Sequence, residues 1–351
     1  MEIYVYNNNF EKIGLIDYCA SIIWTRKYND IGDFELYIPA TEEALQLMRI
    51  NRLVQREDMP NSLMIIKNII LTTDAENGNF ITVSGPSIEN YIAQRIIWKQ
   101  TNLNGTIADN IIQLLNENLI DPDDTERKIN NIEIGETSAA AGQTLKKQFT
   151  GDNLLDAISA ILKEYKLGFN MLFENNKLIF NIYAGTDRSF DQTTNPRVIF
   201  SPEFDNFITS EYIENTDNYK NVVLVAGEGE GINRKTQQVG NASGPERIED
   251  YIDARDISSS TEGGTLTPAQ YNDLLISRGQ EKLAELKEVL SYNGQVEPTI
   301  NYKFEYDYFL GDIIEIINEY GTGNAARITE IIESWDENGY TLVPTFNTQE
   351  V

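Results

Sequence analysis

The sequence predicts an α+β fold, mainly β, with two related β-barrel domains and an α+β domain between them. Three observations carry this. Apolar residues alternate with polar ones over short stretches at both ends of the chain, the period expected of strands with one buried face. From about residue 101 the apolar spacing becomes helical. A nine-residue segment near the end of the first β region, Ile70 to Gly78, lines up without gaps against Ile331 to Gly339 near the end of the second.

In the first region, Ile3-Tyr4-Val5-Tyr6 alternates faces and Asn7-Asn8-Asn9 turns the chain. Ile22 to Thr25 and Phe34 to Ile38 are further strands. A short helix follows: Thr41 caps it, Glu42 and Glu43 sit in its positive first turn, and Leu45 and Met48 share a face. Leu63 to Thr72 and Phe80 to Ser84 flank the turn Ala75-Glu76-Asn77-Gly78, an Asn-Gly hairpin signal.

The middle region reads as a compact α+β unit. Ile107, Ile111, Leu114 and Leu115 form a helical stripe, with Thr106 and Asp109 in a capping-box pattern. A second helix runs from Asp152 through Leu154, Ile158, Ile161, Leu162 and Tyr165, with Gly168 placed to end it. Phe169 to Phe173 and Lys177 to Tyr183 make a hairpin around Glu174-Asn175-Asn176. Strands return at Phe207 to Ile213 and Val222 to Ala226. A polar stretch, Gly240 to Gly264, leads to a long helix capped by Thr267, with Pro268 in its first turn and Leu274, Leu275, Leu283 and Leu286 on its buried side. Tyr302 to Tyr306, Asp312 to Ile317, Ala326 to Trp335 and Tyr340 to Phe346 close the chain as strands. The expected division is 1–100, first β-barrel; 101–205, α+β, joined by a helical insertion at 241–290; and 206–351, second β-barrel. The repeated hairpin segment fits a duplicated barrel, although Glu-Asn-Gly turns also recur by chance.

Composition narrows the function. A length of 351 residues with 41% hydrophobic content supports two or three cores. The first residues lack a signal peptide's basic flank and apolar stretch, and no apolar run approaches the ~20 residues that cross a bilayer. Folding in a cytoplasm is expected. Cys19 is the one cysteine, so there is no internal disulfide and no cysteine metal site, and there is no histidine at all. That removes Ser-His-Asp and Cys-His catalysis and the commonest zinc and iron ligand. Any catalysis would rest on paired carboxylates, a lysine or an oxygen-ligated metal. With 55 acidic against 28 basic residues the net charge is −27, which repels nucleic-acid backbone and offers nothing to anionic lipid.

No motif concentrates chemistry. Gly227-Glu228-Gly229-Glu230-Gly231 lacks a following helix N-terminus, and its glutamates would repel phosphate, so a flexible hairpin tip is expected. Asp121-Pro122-Asp123-Asp124-Thr125-Glu126 has oxygen ligands but not EF-hand spacing, so a solvated loop is expected. Asp253-Ala254-Arg255-Asp256 reads as a local ion-pair set. No residue is nominated as catalytic, cofactor-binding or metal-ligating, and no cofactor is expected.

Read in order, several stretches resemble the siphophage tail hub, or tail-associated, protein family. They are Ile23 to Tyr28 with Gly32 to Leu36; Val83 to Ser87 and Arg95 to Trp98; Thr150 to Asp156; Val198 to Ser201; Tyr219 to Val222 with Ala226 to Gly229; Asp253 to Asp256; Phe309 to Asp312; and Ala326 to Glu330. The resemblance implies a fold similar to the contractile-phage baseplate hub: two related β-barrels, an α+β portion, and three copies in a pseudo-six-fold ring at the distal end of the virion tail. It implies a non-enzymatic structural role. The partners would be distal tail or tube proteins, tip, receptor-binding or baseplate proteins, and a tape measure protein, with no specific nucleic-acid binding and no membrane insertion. Three chains would carry −81, three times −27, so an acidic channel wall would let DNA slide. Larger relatives carry a C-terminal extension with tip or lytic functions, which this chain is expected to leave to another subunit. A tip-associated protein that binds glycan, or hydrolyses it with carboxylates, is the alternative; a tailocin or injection machine would change the setting more than the role.

Overall fold

The computed structural model describes residues 1–348 apart from 75–77, 210, 262, 298–300 and 322. The chain opens with β1 (Ile3–Tyr6), β2 (Lys12–Ile16), β3 (Ser21–Lys27), β4 (Asp33–Pro39), α1 (Glu42–Leu47), β5 (Leu53–Arg56), β6 (Met64–Ile65), β7 (Asn68–Asp74) and β8 (Gly78–Pro86). One sheet has the order β2-β1-β5-β6, and β3, β4, β8 and β7 belong to another. Alternation puts Ile3 and Val5 of β1, and Phe34, Leu36 and Ile38 of β4, into one core with Trp24, Ile81 and Val83. The Thr41 hydroxyl caps α1 by accepting from the Ala44 N–H (3.1 Å). The buried face of α1 differs from expectation: Ala44 and Met48 are buried while Leu45 is exposed, because the helix stops at Leu47 and its cap residue drops into the core. The expected strand Leu63 to Thr72 is two strands, since the chain changes sheets between Ile65 and Asn68. Gly85 permits that crossing, as a Cβ there would lie 2.0 Å from the Ile65 carbonyl oxygen.

Next come α2 (Asn90–Ala93), β9 (Thr101–Thr106), α3 (Ile107–Leu115), a π-helical turn to Ile120, β10 (Ile132–Ile134), β11 (Thr144–Phe149), α4 (Leu154–Glu164), β12 (Gly168–Glu174) and β13 (Lys177–Tyr183). The Thr106 cap on α3 holds, with its hydroxyl accepting from the Asp109 N–H (3.1 Å). α4 starts at Leu154, two residues after the expected Asp152, and is capped by Asn153, its side-chain oxygen accepting from Leu155 N–H (2.9 Å). Lys166 (φ 59°), not Gly168, turns the chain after α4, and Gly168 begins β12. Asn175 and Asn176 both take positive φ, as a two-residue hairpin loop requires. Strands β9, β10 and β11 were not expected. Two lysines and a glutamine mask β11, yet Lys147 and Gln148 are buried.

The last part holds β14 (Ile199–Phe200), β15 (Glu211–Asn215), β16 (Val222–Ala226), β17 (Thr236–Val239), β18 (Glu249–Asp253), the small hairpin β19 (Ser260–Thr261) and β20 (Gly264–Thr265), α5 (Pro268–Glu285), β21 (Val289–Asn293), β22 (Ile313–Ile317), β23 (Gly323–Asp336) and β24 (Gly339–Asn347). Thr267 and Gln270 form a complete capping box on α5. Of the four leucines expected on its buried side only Leu275 is fully buried, and Leu286 is the C-cap just past the helix; Tyr271 and Gly279 complete that face. β18 lies inside the stretch read only as polar, Gly240 to Gly264, β15 starts four residues after Phe207, and Tyr302 to Tyr306 is a turn with Glu305 at φ 63° rather than a strand.

One sheet runs β15-β21-β24-β23-β3-β4-β8-β7, with β22 on β23 and β14 on β22. β23 pairs with β3 from Glu330 opposite Lys27 to Trp335 opposite Ile22, so the two terminal regions share a sheet. Among the described residues its ladder is open at both ends. The repeated segments are both hairpins of this sheet, β7–β8 and β23–β24, although residues 75–77 of the first turn lie outside the described residues. Among the described residues the buried apolar side chains form four cores, one in each terminal region, one centred on the α+β unit and a small one around α5.

Candidate functional site

Three of the stretches singled out in the sequence, Ile23 to Tyr28, Phe309 to Asp312 and Ala326 to Glu330, meet where the two terminal regions touch the α+β unit, and Tyr28, just past β3, is the centre of that junction. Its ring is fully buried. Its hydroxyl contacts the carbonyl oxygens of Lys166 (3.1 Å) and Tyr183 (3.3 Å) and accepts from the Gly185 N–H (3.3 Å). Its backbone donates to Thr329 O (2.9 Å) in β23 and accepts from the Phe169 N–H (3.0 Å) in β12. Arg327 lies over one face of the ring. Gly168 and Gly311 approach so closely that a Cβ on either would sit 2.3 Å from ring carbons. Tyr28 therefore touches all three parts of the chain.

Asp312 secures the next contact. Its carboxylate accepts from Thr186 N–H (2.7 Å), Arg188 Nε (2.7 Å) and Phe309 N–H (3.0 Å). Gly311 takes φ 93°, and its carbonyl accepts from Arg327. Phe309 to Asp312 and Ala326 to Glu330 are thus joint-forming segments. Gly32 fits against the Thr25 carbonyl, 2.1 Å from where its Cβ would be, and its N–H donates to the Ser87 hydroxyl (3.0 Å).

A buried charge cluster lies across the shared sheet. Arg56, 1% exposed, pairs with Glu333 (3.1 Å) and Asp58 (2.6 Å), and its guanidinium lies 4.1 Å from the Trp335 ring centre and 5.6 Å from that of Trp24. Glu333 also accepts from Arg26 (3.0 Å) and the Tyr340 hydroxyl (3.1 Å). Burial pulls the Arg56 guanidinium down, but Asp58 and Glu333 together hold it above its ordinary range. The sequence gives one hint, an arginine ending the otherwise inward-reading Leu53-Val54-Gln55-Arg56; nothing in it points to Glu333.

Between these features lies a cavity of about 590 Å³ lined by Arg26, Glu89, Met171, Thr186, Phe304 and Asp312, among others. Glu89 accepts from the Met171 N–H (2.9 Å). Burial raises its carboxyl despite the hydrogen bonds from Ser87 and Met171. The polar groups named here are engaged in holding backbone and neighbouring charges, which is the chemistry of a rigid joint.

The glycine-rich loop is a structural anchor and not a free hairpin tip. The Glu228 carboxylate accepts from Ser259 N–H (2.6 Å), Ser259 hydroxyl (2.7 Å) and Lys235 (3.1 Å). Burial opposes its ionisation, but these donors outweigh it and hold the carboxyl at about 2. A carboxyl depressed on folding stabilises the native state above its unfolded value, about 4.5, and loses that contribution as pH falls toward 2. Glu228→Gln is therefore expected to weaken this loop at pH 7 and to flatten its pH dependence between about 4.5 and 2. Exchange of the Ser259 amide across that range checks it. In the acidic loop the carboxylates diverge: Asp123 pairs with Lys99, Asp121 with Lys128 (3.4 Å), and Asp124 caps the turn at Thr125. Asp253 pairs with Arg234 and Arg255, and Asp256 with Arg278.

Solved structures share this fold over nearly the whole chain. A tail protein from Neisseria meningitidis MC58 matches with a TM-score of 0.61 at 11% identity, covering 98% of this chain and 95% of its own. The 43 kDa tail protein of prophage MuSo2 from Shewanella oneidensis matches with a TM-score of 0.60 at 13% identity, covering 99% and 98%. Prophage tail protein gp18 from Listeria monocytogenes EGD-e matches at 0.55 and 13%, covering 99% and 95%. The fold is thus the one seen in these tail proteins. The family model for Siphovirus ReqiPepy6 Gp37-like proteins matches residues 2–346. The chain belongs to that family. No curated protein sequence matches it.

Proposed function

We propose that three copies of this chain form a ring-shaped, non-enzymatic hub at the distal end of a phage tail. The hub joins the tail tube or distal tail ring to the tip or baseplate and leaves a central channel for DNA. Residues 1–100 and 206–351 supply two barrel-type units per copy, hence six around the ring. Residues 101–205, with the insertion at 241–290, form the outer α+β part. Tube or distal tail proteins, tip or receptor-binding proteins and a tape measure protein are the partners, and the protein assembles in the host cytoplasm. The net charge of −27 suits a wall along which DNA slides.

The observation that carries assembly is the edge of the long sheet, unpaired among the described residues. β7 is seven residues long and ends the ladder, and Ile70 and Leu71 are 51% and 56% exposed. It contains no lysine, arginine or proline, the usual devices that blunt an edge. Head-to-tail use of such an edge between copies generates a closed ring when the rotation closes.

Light scattering after size exclusion, over a concentration series, tests this. The trimer mass is expected at high concentration, and Leu71→Lys should weaken association at least tenfold without lowering the unfolding midpoint. A strict monomer that also fails to form rings with tail tube partners would sink the hub reading.

A further inference from the structure

Residues 222–286 form a unit with its own core of Val223, Val225, Ala254, Ile257, Tyr271 and Leu275. That core shares no residue with the core of the α+β unit beside it. Polar groups bridge the two units. Gln148 Nε2 donates to Ser258 O (3.2 Å) while the Ser258 N–H donates to Gln148 Oε1 (2.6 Å). Gln100 Nε2 donates to Ser260 O (3.2 Å). Lys147 of β11, 4% exposed, places its ammonium 2.8 Å from Glu164 of α4 and 3.1 Å from Glu281 of α5, close enough to pair but off the best hydrogen-bond direction. Glu281 in turn lies 3.9 Å from Arg278, which holds Asp256 at 2.7 Å. Charges therefore alternate across the seam, from Glu164 through Lys147, Glu281 and Arg278 to Asp256.

The chain enters and leaves this unit through one stalk. β15 and β21 run antiparallel with Asn215 opposite Val289, and the Lys220 N–H donates to Leu286 O (2.9 Å), so both connections emerge side by side. A seam of this kind differs from an apolar one. Separating it exchanges hydrogen bonds with protein for hydrogen bonds with water at small net cost, and a desolvated ion pair adds little stability while demanding one geometry. Relative motion of units within one chain is the expectation unless a large hydrophobic interface joins them.

We propose that the 222–286 unit is a latched module, docked on β11 and α4 by the Lys147–Glu164–Glu281 triad and released as an intact body about the β15–β21 stalk. The proposal does not depend on the hub reading. Lys147 neutralises two carboxylates that otherwise face each other, so its loss opens the seam while the module's own core stays formed.

Amide hydrogen exchange on the full chain tests it. Ser258 N–H reports docking, since its acceptor belongs to the other unit. Ala254 N–H, donating to Ala226 O (2.8 Å), reports the integrity of the module. Lys147→Ala is expected to speed Ser258 exchange at least tenfold and to leave Ala254 unchanged. Glu281→Gln, which keeps side-chain volume, should give the same pattern with a smaller factor, and it serves if the first variant fails to fold. Acceleration of Ser258 and Ala254 together would overturn the proposal, because the module would then be unfolding rather than undocking. An unchanged Ser258 in both variants would overturn it too, since the triad would then not hold the seam.

Discussion

Replacing Glu333 with alanine will destabilise the folded chain by about 3–5 kcal/mol, the cost of leaving a buried charge without its partner. Arg56 is 1% exposed and lies against Trp335 and Trp24, so it has no path to water that keeps those ring contacts. Asp58 remains within reach, but its side chain is half exposed and cannot replace the buried acceptor. The same substitution strips an acceptor from Arg26 and from the Tyr340 hydroxyl. Arg56→Met together with Glu333→Leu should recover most of the loss, because well-packed apolar replacements of a buried ion pair are often neutral or stabilising. Urea unfolding of the three proteins decides it through the midpoint at constant slope. A shift below about 1 kcal/mol for Glu333→Ala would mean that Asp58 and solvent carry the arginine unaided.

The cluster also shows where sequence reading stops. Strands with clean alternation, such as Phe34 to Ile38, are legible because one face buries whatever the partner is. So are the helix caps Thr41, Thr106 and Thr267, whose chemistry is local, and the Asn175-Asn176 turn. β11 is not legible, because Lys147 and Gln148 are buried against groups up to 134 positions away, and a lysine in sequence reads as solvent-facing. The choice of Ala44 over Leu45 depends on where α1 stops. Arg56 and Glu333 are 277 positions apart; the pairing of β23 with β3 puts Glu333 in the sheet that packs on the one holding Arg56. The motif stretches identified the joint segments, Tyr28, Gly311 to Asp312 and Arg327 among them, without showing that they converge.

Tyr28→Ala is expected to lower stability by about 3–5 kcal/mol, the range for emptying a large buried aromatic site, and to separate the unfolding of the terminal β regions from that of the α+β unit. The ring fills the space between Gly168 and Gly311, which cannot carry side chains without displacing it, and Gly311 is further fixed by φ 93°. Neighbours with so little freedom relax poorly into a void, which places the cost toward the upper end. Tyr28→Phe isolates the polar part: it leaves the Gly185 N–H without this acceptor, at about 1–3 kcal/mol, and keeps the packing. Thermal unfolding followed by calorimetry and by tyrosine and tryptophan fluorescence distinguishes the outcomes. Two transitions in Tyr28→Ala, against one in Tyr28→Phe, would show that the filled junction couples the units. A single transition in both would assign the coupling to the sheet shared through β3 and β23, with the tyrosine acting only as core.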